Sequence, residues 1–138
     1  MDIKNKIQEL ETKRNSRLIV YITTDNPPFN TNIAGDVIPL FSKHLDKIGQ
    51  TKKISLFLYT VGGDMLAPIR IVKLIRNHCS KFEVIVPYKA HSAGTLIALG
   101  ADSIVMSKMG ELTPVDPSTG HPFNPPDTLN PQDRKSVV

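Results

Sequence analysis

Apolar positions along this chain alternate between helical stripes and short β-type runs, and their order predicts the architecture. Residues 3–13 place Ile3, Ile7 and Leu10 at i, i+4 and i+7 of a polar segment. That narrow helical stripe suits docking on a neighbouring surface, of this chain or of another subunit. Residues 17–23 (RLIVYIT) form a β-branched and aromatic run, closed by the turn chemistry of Asp25, Asn26, Pro27 and Pro28. Helical spacing returns over 33–47, with Val37, Leu40, Phe41 and Leu45 on one side. Residues 54–60 (ISLFLYT) are nearly all apolar, as expected of a strand covered on both faces.

Gly62 and Gly63 interrupt that run, and a helix is expected over 65–78 with Ile69, Val72, Leu74 and Ile75 facing the core. Pro68 falls in its first turn, where a missing N–H does little harm. A buried strand at 82–86, a loop at 87–91, a short apolar helix at 92–101 and a strand at 103–106 complete the pattern. Strands alternating with helices predict an α/β fold with parallel pairing. Beyond residue 113 the texture changes, and Pro114, Pro117, Pro122, Pro125, Pro126 and Pro131 mark an irregular, exposed loop. The expected organisation is an amphipathic helix in 1–16, an α/β core in 17–113, and a proline-rich loop with a truncated continuation in 114–138.

With 138 residues, 40% hydrophobic and 22% charged, the chain can bury a core, which excludes disorder and fibrous repeats. No apolar run approaches the roughly 20 residues of a membrane span, and the charged N-terminus has no signal-peptide core. The expected location is the cytoplasm; membrane association is left open, and nothing here encodes it. One cysteine, Cys79, gives no intramolecular disulfide and fits a reducing compartment. The net charge of +4 comes from scattered Lys and Arg without stacking aromatics, so nucleic acid is not an expected partner. No Cys/His cluster has metal-ligand spacing.

Two small-residue turns, each leaving a strand, carry the candidate chemistry. In Thr60-Val61-Gly62-Gly63-Asp64, glycines let backbone N–H groups face outward, which suits a developing oxyanion. Taken alone, the glycines are explained better by a tight strand–helix turn that needs positive φ. In Ala90-His91-Ser92-Ala93-Gly94-Thr95, Ser92 is placed as an ordinary N-cap, yet the same position suits a nucleophile beside uncommitted N–H groups. His91 is adjacent, but neighbouring side chains on a turn usually diverge. Asp64 is expected to cap the following helix, Asp102 to occupy a turn, and Asp116 to sit in a proline-bounded one; Cys79 and His78 need no chemistry.

Three segments taken together, YTVGGDMLAPIRIVKLIR (59–76), VPYKAHSAGTLIALGADSIVM (86–106) and ELTPVDP (111–117), resemble the Clp protease/crotonase superfamily. Within it the chain is most similar to the serine dehydrogenase proteinase family, related to signal peptide peptidase A-like serine proteases. The likeness spans residues 17–117. It implies a spiral of β-β-α units, here expected to lack a C-terminal helical layer. It also implies Ser92 as nucleophile, with Gly62, Gly63 and the N–H of Ala93 as oxyanion hole. Such enzymes cut polypeptides through an acyl-enzyme without metal, nucleotide or other cofactor, commonly as multimers, so a homo-oligomer is expected.

The superfamily's base is either His with Asp or a single Lys. ELTPVDP stands where the Clp-type His would fall, which favours a Ser–Lys dyad with the lysine pKa depressed in an apolar pocket. Lys135 is the candidate base within this chain, and His121 is the lesser one. Two other readings remain open: a non-catalytic interaction or regulatory protein on the same scaffold, and a crotonase-type enzyme polarising an acyl thioester. The serine in HSAGT argues against the last, because that chemistry gives it no task.

Overall fold

The computed structural model describes residues 2–115. His121, Lys135 and Asp116 therefore lie outside the described residues. In chain order the elements are α1 (Ile3–Arg14), β1 (Arg17–Ile22), α2 (Ile38–Ile48), β2 (Thr51–Tyr59), α3 (Ala67–Arg76), β3 (Cys79–Val86), β4 (Lys89–Ala90), α4 (Ala93–Leu99), β5 (Ser103–Met106) and β6 (Glu111–Leu112).

Four strands form a parallel sheet in the order β1-β2-β3-β5, and β4 pairs with β6 in a second, two-stranded parallel sheet. The main sheet never reverses its order, so right-handed crossovers put α2, α3 and α4 on one face. The helices accordingly pack in a row, α2 on α3 and α3 on α4. Strand pleating sends Ile54, Leu56 and Leu58 of β2, and Phe82, Val84 and Val86 of β3, towards those helices, and all six are fully buried. Phe41 and Leu45 of α2, Ile71 and Ile75 of α3, and Ile97 and Ala98 of α4 meet them.

The opposite face has a different composition. Ser55 and Glu83 are paired in register across β2 and β3 and point away from the helices. Glu83 is only 2% exposed. Its carboxylate is met by the Arg14 guanidinium at the end of α1 (Nε to Oε2, 3.1 Å), the Lys53 ammonium (3.2 Å) and the Ser55 hydroxyl (2.7 Å). Ser16 Oγ in turn sits 2.7 Å from Ser55 Oγ. Burial opposes the charge on Glu83, but Arg14, Ser55 and Lys53 outweigh it and bring the carboxyl down to about 2. This cluster fastens α1, none of whose residues is buried; Ile3 of the expected docking stripe is exposed.

Ile69 of α3, expected to face the core, is 56% exposed, and Leu40 of α2 is exposed beside its buried neighbours Phe41 and Leu45, because each lies at the outer edge of its helix's apolar stripe. Two further expectations shift near the candidate site. Residues 33–37 do not join α2: Ile33 pairs with Gly63 in an isolated bridge, Gly35–Val37 form a 3-10 turn, and the helix starts at Ile38 with Pro39 in its first turn. Within the expected 87–91 loop, Lys89 and Ala90 pair with Glu111 and Leu112. Both departures set the geometry of the candidate site.

Candidate active site

The carboxyl ends of parallel strands share one sheet edge, where loops collect. Thr23, just past β1, donates its hydroxyl to Thr60 Oγ1 (2.7 Å), just past β2. Thr60 Oγ1 also accepts the Gly62 N–H (3.0 Å). Gly62 and Gly63 have φ of 118° and 149°, which glycine alone adopts readily. The chain passes so close to Ile33 that a Cβ on Gly63 would lie 2.1 Å from the Ile33 carbonyl oxygen. Ile33 N–H donates to Gly62 O (2.8 Å) and Asp64 N–H to Ile33 O (2.7 Å), and between them Gly63 N–H has no acceptor among the described residues. Asp64 accepts the Leu66 N–H (2.9 Å), an Asx turn leading into α3 in place of a direct cap.

Thr60 also hands the chain on to the second turn. Its N–H donates to Lys89 O and its carbonyl accepts from His91 N–H, pinning the segment that delivers Ser92. Ser92 occupies the N-cap position of α4, yet its side chain makes no capping bond. Its backbone is at φ 53°, ψ −114°, in the left-handed region that favours glycine. A side-chain-bearing residue held there costs about 1–3 kcal/mol and persists only when its surroundings over-determine it. Ser92 Oγ donates to Met65 Sδ at 3.8 Å, the one hydrogen bond of this hydroxyl among the described residues. Ala93 follows, fully buried, and its N–H also has no acceptor among the described residues.

The two turns meet. A Cβ on Gly62 would stand 2.9 Å from Ser92 Cβ and 3.4 Å from Ser92 Oγ, so the absent side chain leaves the space in front of the hydroxyl. Ser92, Gly62 and Ala93 thus come together, and Gly63 follows Gly62 at the exposed rim. Of the three glycine-turn and helix-start amides singled out from the sequence, two have no acceptor among the described residues and one, Gly62, is taken by Thr60. Gly62→Ala is expected to lower stability by about 2 kcal/mol, combining positive φ with a contact that Ser92 must yield to. Equilibrium denaturation of the variant checks it.

Two residues that sequence reasoning passed over, Thr113 and Glu111, complete the surroundings. Ser92 N–H donates to Thr113 Oγ1 (2.8 Å), 21 residues downstream. His91 Nε2 lies 2.9 Å from Glu111 Oε2, so the adjacent histidine is engaged by a carboxylate. Burial pushes the Cys79 thiol up, against a thiolate nucleophile. Asp102 caps the sheet edge by accepting Phe82 N–H (2.8 Å) while paired with Arg76, which confirms it as a turn residue. Among the described residues no three His, Cys, Asp or Glu side chains cluster as a metal site would need.

Comparison with known proteins sharpens these observations. An uncharacterized protein of Methanocaldococcus jannaschii is 36% identical over 120 residues, covering 83% of this chain and 42% of that one. A second from the same organism is 45% identical over 67 residues, 49% of this chain and 23% of that one. The chain spans less than half the length of the curated relatives it matches. Among solved structures, a ClpP1 mutant from Listeria monocytogenes aligns with a TM-score of 0.48 and 24% identity, over 67% of this chain and 51% of that one. The ClpP catalytic domain from Plasmodium falciparum aligns with a TM-score of 0.47 and 16% identity, over 76% of this chain and 60% of that one. The family described as ClpP-like SDH-type serine proteinase matches residues 1–136 of the 138, and this chain belongs to it.

Proposed function

We propose that this chain carries the nucleophilic centre of a serine peptidase acting on polypeptides. The observation that carries the reading is Ser92 itself. It is held at a strained backbone geometry, with its hydroxyl on a weak thioether acceptor and with two N–H groups, of Gly63 and Ala93, that have no acceptor among the described residues, in the two turns that meet there. In the reaction, Ser92 Oγ bonds to the scissile carbonyl carbon while its proton passes to a base. The carbonyl oxygen gathers negative charge and is held by the Gly63 and Ala93 amides. Collapse breaks the C–N bond, the amine leaves with a proton, and water hydrolyses the resulting ester. Gly62 contributes room rather than a donor, because Thr60 occupies its amide. Lys135 is the base this reading assigns within the chain, ahead of His121, and self-association is part of the reading through the family.

A fluorophosphonate probe tests it on the full chain. The expected result is a covalent adduct mapped to Ser92 by mass spectrometry, formed faster as pH rises through the titration of the base. An unlabelled Ser92 in a folded chain overturns the reading. Acyl-thioester binding that survives Ser92→Ala would point instead to carbonyl polarisation without a nucleophile.

A further inference from the structure

The strained conformation of Ser92 needs an agent that enforces it, and the hydrogen bonds around its turn identify one. The Ser92 carbonyl accepts from Thr95 N–H (2.9 Å) and Leu96 N–H (3.3 Å), and the His91 carbonyl from Gly94 N–H (2.9 Å). These are local helix-start contacts that any residue at φ near −60° would also make. The non-local contact is different. Ser92 N–H donates to Thr113 Oγ1 at 2.8 Å, and Thr113 is itself fixed from behind. Its N–H donates to Thr95 Oγ1 (3.1 Å), and the buried Thr95 hydroxyl donates to Ala90 O (2.8 Å). The three bonds close a ring around residues 90–95. The strand entering it is held by the β4–β6 pairing and by Glu111 N–H on Tyr88 O.

We propose that Thr113 is a positioning residue for Ser92: its hydroxyl oxygen, by accepting the Ser92 N–H, locks the serine in its strained backbone geometry and leaves Ala93 N–H as the uncommitted donor of that turn. The proposal rests on Ser92 being the nucleophile, since only then does the lock have a catalytic consequence. A purely structural Thr113 would instead tie β6 to the core, and its loss would lower stability without altering Ser92 selectively.

Two variants of the full chain separate these roles. Thr113→Val keeps shape and removes the acceptor; Thr113→Ser restores it and removes only a methyl. Two measurements are made on each, the rate constant and affinity of fluorophosphonate labelling, and the exchange rate of the Ser92 amide hydrogen by NMR. The expected result for Thr113→Val is labelling slowed about tenfold or more at unchanged probe affinity, and Ser92 amide exchange about tenfold faster, the loss of one hydrogen bond. Thr113→Ser is expected to return both to within about twofold of the parent. Equal Ser92 exchange in all three proteins overturns the proposal, as does a Thr113→Ser variant no better than Thr113→Val. If the parent chain does not label, the peptidase reading fails, and amide exchange alone still decides whether Thr113 enforces the Ser92 conformation. Should Thr113→Val fail to fold, Thr113→Ala carries the same comparison.

Discussion

Ser92→Gly is expected to abolish covalent labelling and at the same time make the protein more stable. The two effects share one cause. At φ 53° and ψ −114° a serine Cβ is crowded against its own backbone, and glycine has no Cβ to crowd. Removing about 1–3 kcal/mol of strain, less the greater freedom of glycine in the unfolded chain, leaves a net gain of about 1 kcal/mol. For a domain of this size that corresponds to roughly 3–6 °C in melting temperature. The hydroxyl surrenders little on removal, since its hydrogen bond among the described residues is the long one to Met65. Ser92→Ala is the control: it also abolishes labelling but keeps the strain, so its stability stays within about 0.5 kcal/mol of the parent. A destabilised Ser92→Gly variant would mean that the positive φ is not the native conformation. Such a trade of stability for reactivity is the usual mark of a functional residue.

The second large effect is expected at Glu83, far from the site. Glu83→Ala leaves Arg14 and Lys53 facing each other without their shared carboxylate, and Ser55 without its acceptor. The expected cost is about 3–4 kcal/mol at pH 7, at the lower side of a broken buried pair because Arg14 is partly solvated. Glu83→Gln keeps an acceptor for Ser55 and loses only the charge, so about 2 kcal/mol is expected. The pH dependence follows from the sign of the shift. The carboxyl titrates at about 2 in the folded chain against an ordinary 4.5, so the folded state binds its proton less readily. Its contribution is therefore fully present above pH 4.5 and is lost as pH falls from 4.5 towards 2. Denaturant titrations of parent and Glu83→Gln at pH 7 and pH 3 should show the difference between them shrinking at the lower pH. A difference unchanged by pH would remove the charge from the account.

How far these features were legible in the sequence depends on their range. β1 and β5 were readable because their residues are β-branched and apolar, so their spacing alone marks them. β2 begins at Thr51 and β3 at Cys79, three residues ahead of the apolar runs at 54 and 82, since Lys53 and Lys81 pair where the sheet meets solvent. Polar strand ends of that kind carry no periodic signal. Ile33 read as the first turn of a helix because its distance to Val37 fits one. A bridge to Gly63 thirty residues away captures it instead. At the site, Ser92 and the two glycines stood out through their small neighbours and their places after strands. Thr60 and Thr113 did not, because a threonine hydroxyl acting on a distant amide leaves no pattern in composition or spacing. Two-residue strands such as β4 and β6 are likewise too short to show alternation, yet they deliver Thr113 to Ser92.

The way α1 is fastened also has a consequence in time. Arg14 and its partner Glu83 are separated by 69 residues, so during synthesis the helix is made long before its anchor. At about 5–20 residues per second the interval is roughly 3–14 s. A 12-residue helix with no buried face is marginal in water on its own. Through that interval the N-terminal segment has the Glu11 contacts to Arg17 and the Leu18 N–H to hold it, and its Arg14 anchor forms only once β3 has been added beside β2.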